Sequence, residues 1–233
     1  MSRTITIVSV ASLAASSVAL AHGEGVDVLL RVSDGQIVTG SWSHDTDTVV
    51  EARERVFAFE WGEDVGSPNI ADEPGFFAEE GTLAGLEWGV NFVDAVRVWN
   101  GSDFSTVSPD TVTFEFLGVE QDTPTTAGGF TAGFGIPVGP GGFDDHYEIA
   151  LNAPTDGSVS GVYLIAMQAF AQSSTLGADV PEASRTFWFV GNFGADEMDH
   201  EAAIEYVEDV IVPAPGAAAL FAMGGLALAR RRR

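Results

Sequence analysis

The sequence predicts an all-β protein: an antiparallel β-sandwich or jelly-roll-like domain with one C-terminal helix. Roughly ten short β-rich runs recur between residues 26 and 190, with Gly- and Asp-rich turn signals between them. Helical periodicity is confined to one late segment, so the strand–helix alternation of a parallel sheet is missing. Hydrophobic residues make up 45% of the 233-residue chain, which is enough for a sizeable core.

The first two strands are expected to form a hairpin. Residues 26–32 and 36–42 flank Asp34-Gly35, and Asp-Gly between two β-rich runs is a strong hairpin signal. The remaining runs of strand composition are, in chain order, 55–61, 86–92, 95–99, 111–117, 129–136, 147–151, 162–170 and 185–190.

One helix is expected near the end of this domain. Asp196 can cap it, and acidic residues in the first turn favour the positive pole of the helix. The apolar residues that follow recur at helical spacing: Ala203, Ile204, Val207 and Ile211. Such a stripe predicts that the helix packs on the sheet.

The charge of the chain excludes several classes of function. It has 34 acidic residues against 10 basic ones and a formal net charge of −24, and it contains no lysine. Such a surface repels phosphate backbones and anionic membranes, so no nucleic-acid partner is expected. Salt-adapted proteins carry surfaces of this kind, which explains the acidity without an active site. The absence of cysteine excludes disulfides and thiolate metal sites.

Both ends of the chain have the pattern of targeting segments. Arg3, the apolar stretch 5–20 and Ala19-Leu20-Ala21 predict a signal peptide over residues 1–21, with His22 as the new N-terminus. At the other end, residues 212–233 combine a Pro-Ala-Pro motif, the apolar run 217–229 and four arginines. That run is shorter than the ~20 residues of a comfortable membrane span, which favours transient membrane association. The functional domain is therefore expected over residues 22–211.

Three histidines have contexts that suit a metal. His22 would pair an imidazole with the α-amine, an arrangement that can chelate copper, and Glu24 and Asp27 are near enough in sequence to add oxygen ligands. His146 lies between Asp144 and Glu148, and all three share one face if the segment is a strand.

His200 follows Asp196 and Glu197 at helical spacing, which suits a Zn²⁺ ligand set. His44, in contrast, has the context of a turn residue. Among so many acids, most histidines have a carboxylate nearby by chance, so each histidine taken alone is also explained as a cap or a surface pair. The chain has no G-x-S-x-G and no P-loop, which favours a non-catalytic protein. A carboxylate hydrolase stays open, because pairing of carboxylates is spatial.

The C-terminal segment 212–233 resembles the PEP-CTERM sorting signal of Gram-negative bacteria, in its Pro-Ala-Pro variant. This resemblance implies recognition by an exosortase-type processing enzyme. It also implies delivery to the cell envelope, the outer surface or an extracellular polysaccharide matrix.

The middle of the chain resembles a PEP-CTERM subfamily named for repression by the zinc-uptake regulator. The matching pieces run in order: His22, 27–28, DGQIVTG at 34–40, FEWGED at 59–64, DEPGF at 72–76, VWNG at 98–101, DHY at 145–147, GVYL at 161–164, FWFV at 187–190 and DHEAAIEYV at 199–207. This resemblance implies a protein made when zinc is scarce, with His22, His146 and His200 as imidazole ligands and carboxylates such as Asp144 and Glu148 completing the shell. The chain departs from the pattern where a second histidine is expected two residues from His146.

The sequence therefore leaves three hypotheses. The first is an exported β-sandwich that binds a divalent transition metal, zinc rather than copper, through His22, His146 and His200. The second is a structural or matrix-interaction protein of the cell surface. The third is an enzyme, either a copper oxidase built on His22 or a carboxylate hydrolase. Convergence of the three histidines in space would favour the first, and their separation would favour the second.

Overall fold

The computed structural model describes residues 26–62, 67–154, 157 and 159–212. Within them the chain forms strands, one α-helix and a π-helical turn, so the predicted all-β class is confirmed. The strands are β1 (Val26–Ser33), β2 (Gln36–Ser43), β3 (Thr48–Glu51), β4 (Val56–Glu60), β5 (Ile70–Ala71), β6 (Phe76–Ala78), β7 (Glu87–Phe92), β8 (Arg97–Val98), β9 (Thr106–Val107), β10 (Val112–Phe116), β11 (Val119–Asp122), β12 (Ile136–Pro137), β13 (Phe143–Asp145), β14 (Glu148–Leu151), β15 (Gly161–Gln172) and β16 (Phe187–Phe193).

These strands form three hydrogen-bonded sheets. The five-stranded sheet has the order β13-β6-β1-β2-β3, and the four-stranded sheet has the order β11-β10-β14-β5. The seven-stranded sheet follows β12-β7-β15-β16-β4, in which β8 also pairs with the central strand β15 and β9 pairs with β8. The strand pairs are antiparallel apart from β1 with β6 and β16 with β4, which are parallel.

The predicted hairpin at Asp34-Gly35 is confirmed. Ser33 pairs with Gln36, so the loop has two residues, and both have positive φ, 52° at Asp34 and 77° at Gly35. Asp and Gly tolerate this conformation, which matches the twist of the flanking strands. The resulting register places Asp27 opposite Trp42, which matters for the site below.

An aromatic core joins the three sheets. Phe189 of β16 is completely buried, and its ring centroid lies 5.9 Å from that of Phe76 in β6 and 6.2 Å from that of Phe114 in β10. Phe189 thus contacts the five-stranded and the four-stranded sheets at once. The seven-stranded sheet forms one layer of a sandwich, and the two smaller sheets together form the other.

The C-terminal helix covers the opposite face of the seven-stranded sheet. It comprises α1 (Glu197–Tyr206) and the π-helical turn Val207–Ile211. As predicted, the Asp196 side chain caps it by accepting a hydrogen bond from the backbone N–H of Met198. The buried apolar residues of this second cluster come from the helix (Ala203, Ile204 and Val207), from the sheet (Val56, Val162, Leu164 and Val190) and from Phe104.

The structure differs from the sequence-based expectation where glycine is dense. Residues 129–136 were expected to form a strand, yet the segment forms only an isolated bridge at Thr131 and the first residue of β12. The segment instead packs closely against β7: at Gly133, an added Cβ would overlap the carbonyl oxygen of Val90. The expected strand 95–99 shortens to β8. Six further strands were not predicted, because two to four residues are too few to show a period in the sequence: β3, β5, β6, β9, β11 and β13.

The predicted terminal segments fall almost wholly outside the described residues. This holds for the signal peptide 1–21 and for the sorting segment 212–233 apart from Val212. In the part of the chain that the structure describes, no helix has both the length and the apolar character needed to cross a bilayer.

Replacing Phe189 with alanine is expected to lower the free energy of unfolding by about 3–5 kcal/mol, because the cavity would open between all three sheets. Chemical denaturation followed by intrinsic fluorescence measures the effect. Phe130→Ala is the control: its side chain is 62% exposed, so its change should stay within about 0.5 kcal/mol. Equal losses in the two variants would contradict the layer arrangement.

Candidate metal centre

Two groups of side chains among the described residues bring imidazole and carboxylate atoms together. The two-histidine site comprises Asp27, His44, Asp144 and His146, and the helix site comprises Glu60, Glu197 and His200. In each group the candidate ligand atoms all lie within 4.8 Å of one another, close enough to share one metal ion.

The first hairpin positions Asp27 and His44. Val28 belongs to the aromatic core, so the alternation of β1 turns Asp27 to the outer face of the five-stranded sheet. Asp27 pairs with Trp42 of β2. His44 directly follows β2 and lies two residues after Trp42, so it is a diagonal neighbour of Asp27 on the same face. His44 Nε2 lies 2.5 Å from Asp27 Oδ2, and the Asp27 side chain is completely buried.

Two more strands bring in Asp144 and His146. Strand β6 pairs in parallel with β1, and β13 pairs with β6 so that Asp144 lies opposite Phe77. His146 comes just after β13, and its Nε2 lies 3.2 Å from Asp144 Oδ1. The imidazole rings of His44 and His146 are 6.0 Å apart between centroids.

Gly75 makes room for this arrangement. Its backbone N–H donates hydrogen bonds to Asp27 Oδ1 at 2.8 Å and to Glu73 Oε2 at 3.1 Å. A Cβ on Gly75 would lie 2.7 Å from Cε1 of His146 and 2.8 Å from Asp27 Oδ1. The His146 ring therefore lies against the bare backbone of Gly75, and no other residue type fits there without a shift.

The hydrogen bonds of His146 decide which of its nitrogens can bind a metal. Nδ1 lies 3.1 Å from the carbonyl oxygen of Asp72, and a carbonyl only accepts, so Nδ1 carries a proton and donates it. Nε2 is left to face Asp144. A metal-binding imidazole commonly has this arrangement, with the second ring nitrogen donating to a carbonyl or carboxylate.

The carboxylates around His146 make this site hold protons strongly. Burial raises the pKa of Asp27, although His44 and His146 oppose the shift. Burial and the neighbouring charge of Asp27 raise the pKa of Glu73 to about 7. Glu73 Oε1 lies 3.5 Å from His146 Nδ1. Burial alone would lower the pKa of His146, but Glu73, Asp27 and Asp144 outweigh it, and the pKa is raised. A divalent cation can replace such protons.

The helix site lies on the opposite side of the sandwich. His200 is 5% exposed, and its Nε2 donates to the carbonyl oxygen of Val190 at 3.1 Å. Its Nδ1 lies 3.1 Å from Glu60 Oε1, at the end of β4. Burial would lower the pKa of His200, but its hydrogen bonds to Glu60 and Val190 and the charges of Glu60 and Glu197 together raise it.

The structure thus groups the predicted metal ligands only in part. Asp144 and His146 lie together, but His146 and His200 belong to different groups on opposite faces. Glu148, at the start of β14, is exposed, pairs across the strand with Glu115 and belongs to neither group. His22 lies outside the described residues.

Sequence reasoning missed three residues of the two-histidine region: His44, Glu73 and Asp27 in its role as a partner of His44. His44 and Asp27 could have been found together from the sequence. A two-residue loop at Asp34-Gly35 fixes the hairpin register, and that register puts Asp27 and His44 diagonally across one face. Glu73 had no such signal, because only long-range pairing brings it to His146.

Comparison with known proteins adds no family. The sequence matches no protein-family model, and no curated protein matches it.

The raised pKa of Glu73 predicts how the stability of the metal-free protein depends on pH. The native state keeps this proton up to about pH 7, while the unfolded chain releases it near the ordinary value of 4.5. The native state binds more protons between these values, so the free energy of unfolding should fall as the pH rises through this window. Denaturation in the presence of a chelator at pH 5 and pH 7.5 measures the fall.

Glu73→Gln should flatten this dependence, because the amide neither titrates nor raises the pKa of His146. Glu80→Gln, an exposed neighbour on the same segment, is the matched control and should retain the slope of the unaltered protein. Identical slopes for the two variants would show that the Glu73 carboxyl does not carry the effect.

Proposed function

We propose that this chain is an exported cell-envelope protein that binds a divalent transition metal, zinc, at the two-histidine site. The observation that carries the proposal is the convergence of four ligand groups from three parts of the chain, with Nε2 of His146 facing Asp144. Such convergence needs long-range pairing, because β1 must pair with β6 and β6 with β13 before Asp27 and His146 can meet. It is therefore more specific than the carboxylate neighbours that any histidine finds in this chain.

The ligand chemistry supports zinc over the harder cations. Two imidazoles and two carboxylates suit zinc, which takes four tetrahedral N, O and S ligands, whereas Ca²⁺ and Mg²⁺ prefer oxygen alone. Copper(II) binds such ligands at least as tightly as zinc, so metal availability would decide between them. The resemblance to a zinc-regulated family supports zinc, and a role in capturing or holding it when it is scarce.

The sequence supports export and sorting to the envelope. The signal-peptide pattern of residues 1–21 and the PEP-CTERM-like segment 212–233 are the basis of this part of the proposal. An exosortase-type enzyme would then be the processing partner, and an extracellular polysaccharide matrix a candidate surrounding. The high negative charge fits a surface that attracts cations and excludes nucleic acid.

A structural surface protein is the second candidate, and the separation of His146 from His200 favours it. The contacts His44–Asp27 at 2.5 Å and His146–Asp144 at 3.2 Å favour it, because these pairs satisfy one another without a metal. In that case the same residues only join β1, β2 and β13.

A zinc titration of the purified chain separates these candidates. The unaltered protein should bind zinc tightly and release protons, because the metal displaces those held by His146 and Glu73. His44→Ala combined with His146→Ala should abolish the tightest binding. Isothermal titration in two buffers of different ionisation enthalpy gives both the affinity and the number of protons released.

Two single variants separate the loss of a ligand from the mere loss of a negative charge: Asp144→Asn is the test, and Glu148→Gln is the control. Both residues are exposed acids in neighbouring segments, but only Asp144 belongs to the site. Asp144→Asn should weaken zinc binding, and Glu148→Gln should not. Tight zinc binding that survives the double histidine variant would instead favour the structural role for these residues.

Gly75→Ala tests the fit of the site without removing any ligand. The added methyl group overlaps His146 and Asp27, so zinc affinity should fall and stability should drop by about 1–3 kcal/mol. Gly139→Ala is matched, because a Cβ there meets no atom within 4 Å and the backbone has no positive φ. Unchanged zinc affinity in Gly75→Ala would mean that the ring of His146 is not part of the site.

A further inference from the structure

We infer that the helix site is a second, separate divalent-metal site, at which Glu60, Glu197 and His200 ligate one ion between α1 and the end of β4. It shares no side chain with the two-histidine site and lies on the other face of the sandwich. The inference therefore does not depend on the first site, and either one can fail alone.

The ligands come from two elements that meet at this point. Glu197 and His200 are three residues apart on α1, so they lie on the same side of the helix. Glu60 is the last residue of β4, and β4 pairs with β16, over which the helix packs. An ion held by all three side chains would join the helix to the edge of the seven-stranded sheet.

Two of the three side chains, those of His200 and Glu60, are oriented by further hydrogen bonds. His200 donates Nε2–H to Val190, which leaves Nδ1 as the ligand atom facing Glu60. Glu60 Oε1 also accepts a hydrogen bond from Asn192 Nδ2 at 3.0 Å. Asn192 is itself buried and accepts a hydrogen bond from the backbone N–H of Ala195 at 2.9 Å. Oriented ligands with fixed partners behind them distinguish a metal site from a chance cluster of acids.

The burial pattern gives the ion a route to the ligands. His200 is buried, but the Glu60 side chain is 34% exposed and Glu197 is exposed. A cation can approach from the solvent side and reach Nδ1 past the two carboxylates. One imidazole and two carboxylates leave a coordination position for water or an additional ligand.

The helix site should bind more weakly than the two-histidine site. It offers one imidazole instead of two, and imidazole is the better ligand for zinc and copper. The positive pole of α1 also disfavours a cation, although the acidic residues of its first turn, Glu197 and Asp199, offset this. Zinc is therefore expected to fill the two-histidine site first and the helix site second.

Zinc binding to the full chain with substitutions in α1 tests the inference. The unaltered protein should take up two zinc ions, and Glu197→Gln should reduce the affinity for the second by about tenfold or more. Glu197 is exposed and takes no part in the hydrogen bonds of His200, so Glu197→Gln should fold normally. Asp199→Asn is the matched control: it removes the same charge from the same helical turn and lies outside the group.

A second measurement uses the His44→Ala, His146→Ala double variant, which isolates the helix site. It should retain one zinc ion, and zinc should slow the hydrogen exchange of backbone amides in α1. The inference is overturned if this variant binds no zinc, or if Glu197→Gln and Asp199→Asn weaken binding equally. The proposed function fails separately, if the unaltered protein binds no more zinc than the double variant.

Discussion

The buried carboxylate of Asp27 is the constraint on which the candidate metal centre depends. A carboxylate that is removed from solvent must be paired or protonated, because burying an isolated charge is too costly. Asp27 Oδ1 accepts from the backbone of Gly75, and Oδ2 lies beside His44. One side chain thus ties β1 to the segment before β6 and to the end of β2. Its charge also contributes to the raised pKa of His146.

The aromatic core supplies the frame for both sites. Phe76, next to Gly75, stacks on Phe189 of β16, so the segment that carries Gly75 is fixed by the centre of the sandwich. On the other side of the same sheet, Val190 packs against the helix through its side chain and accepts from His200 through its carbonyl oxygen. Consecutive residues of β16 therefore hold the two sites in place from opposite faces.

Local patterns predicted the parts of this structure that short-range physics determines. The Asp34-Gly35 loop, the Asp196 cap and the apolar stripe of α1 each depend on neighbouring residues, and the pairing of Asp144 with His146 depends on a spacing of two. The grouping of ligands depends instead on which strands become neighbours. The parallel pairing of β1 with β6 leaves no period in the sequence, because β6 has three residues. For that reason His146 and His200 could be expected in one site, although the sandwich separates them.

The acidity of the chain and its oriented histidines have different physical roles. Long-range attraction from 34 acidic residues concentrates cations near the surface, but dissolved salt screens it beyond about 8–10 Å. Within each site the separations are under 5 Å, so screening has little effect there. A metal ion bound at either proposed site would therefore stay bound in saline surroundings if the geometry of its ligands, rather than the net charge of the surface, holds it. Such geometry is present at both sites, because a backbone carbonyl accepts from one nitrogen of His146 and one of His200 and leaves the other nitrogen facing carboxylates.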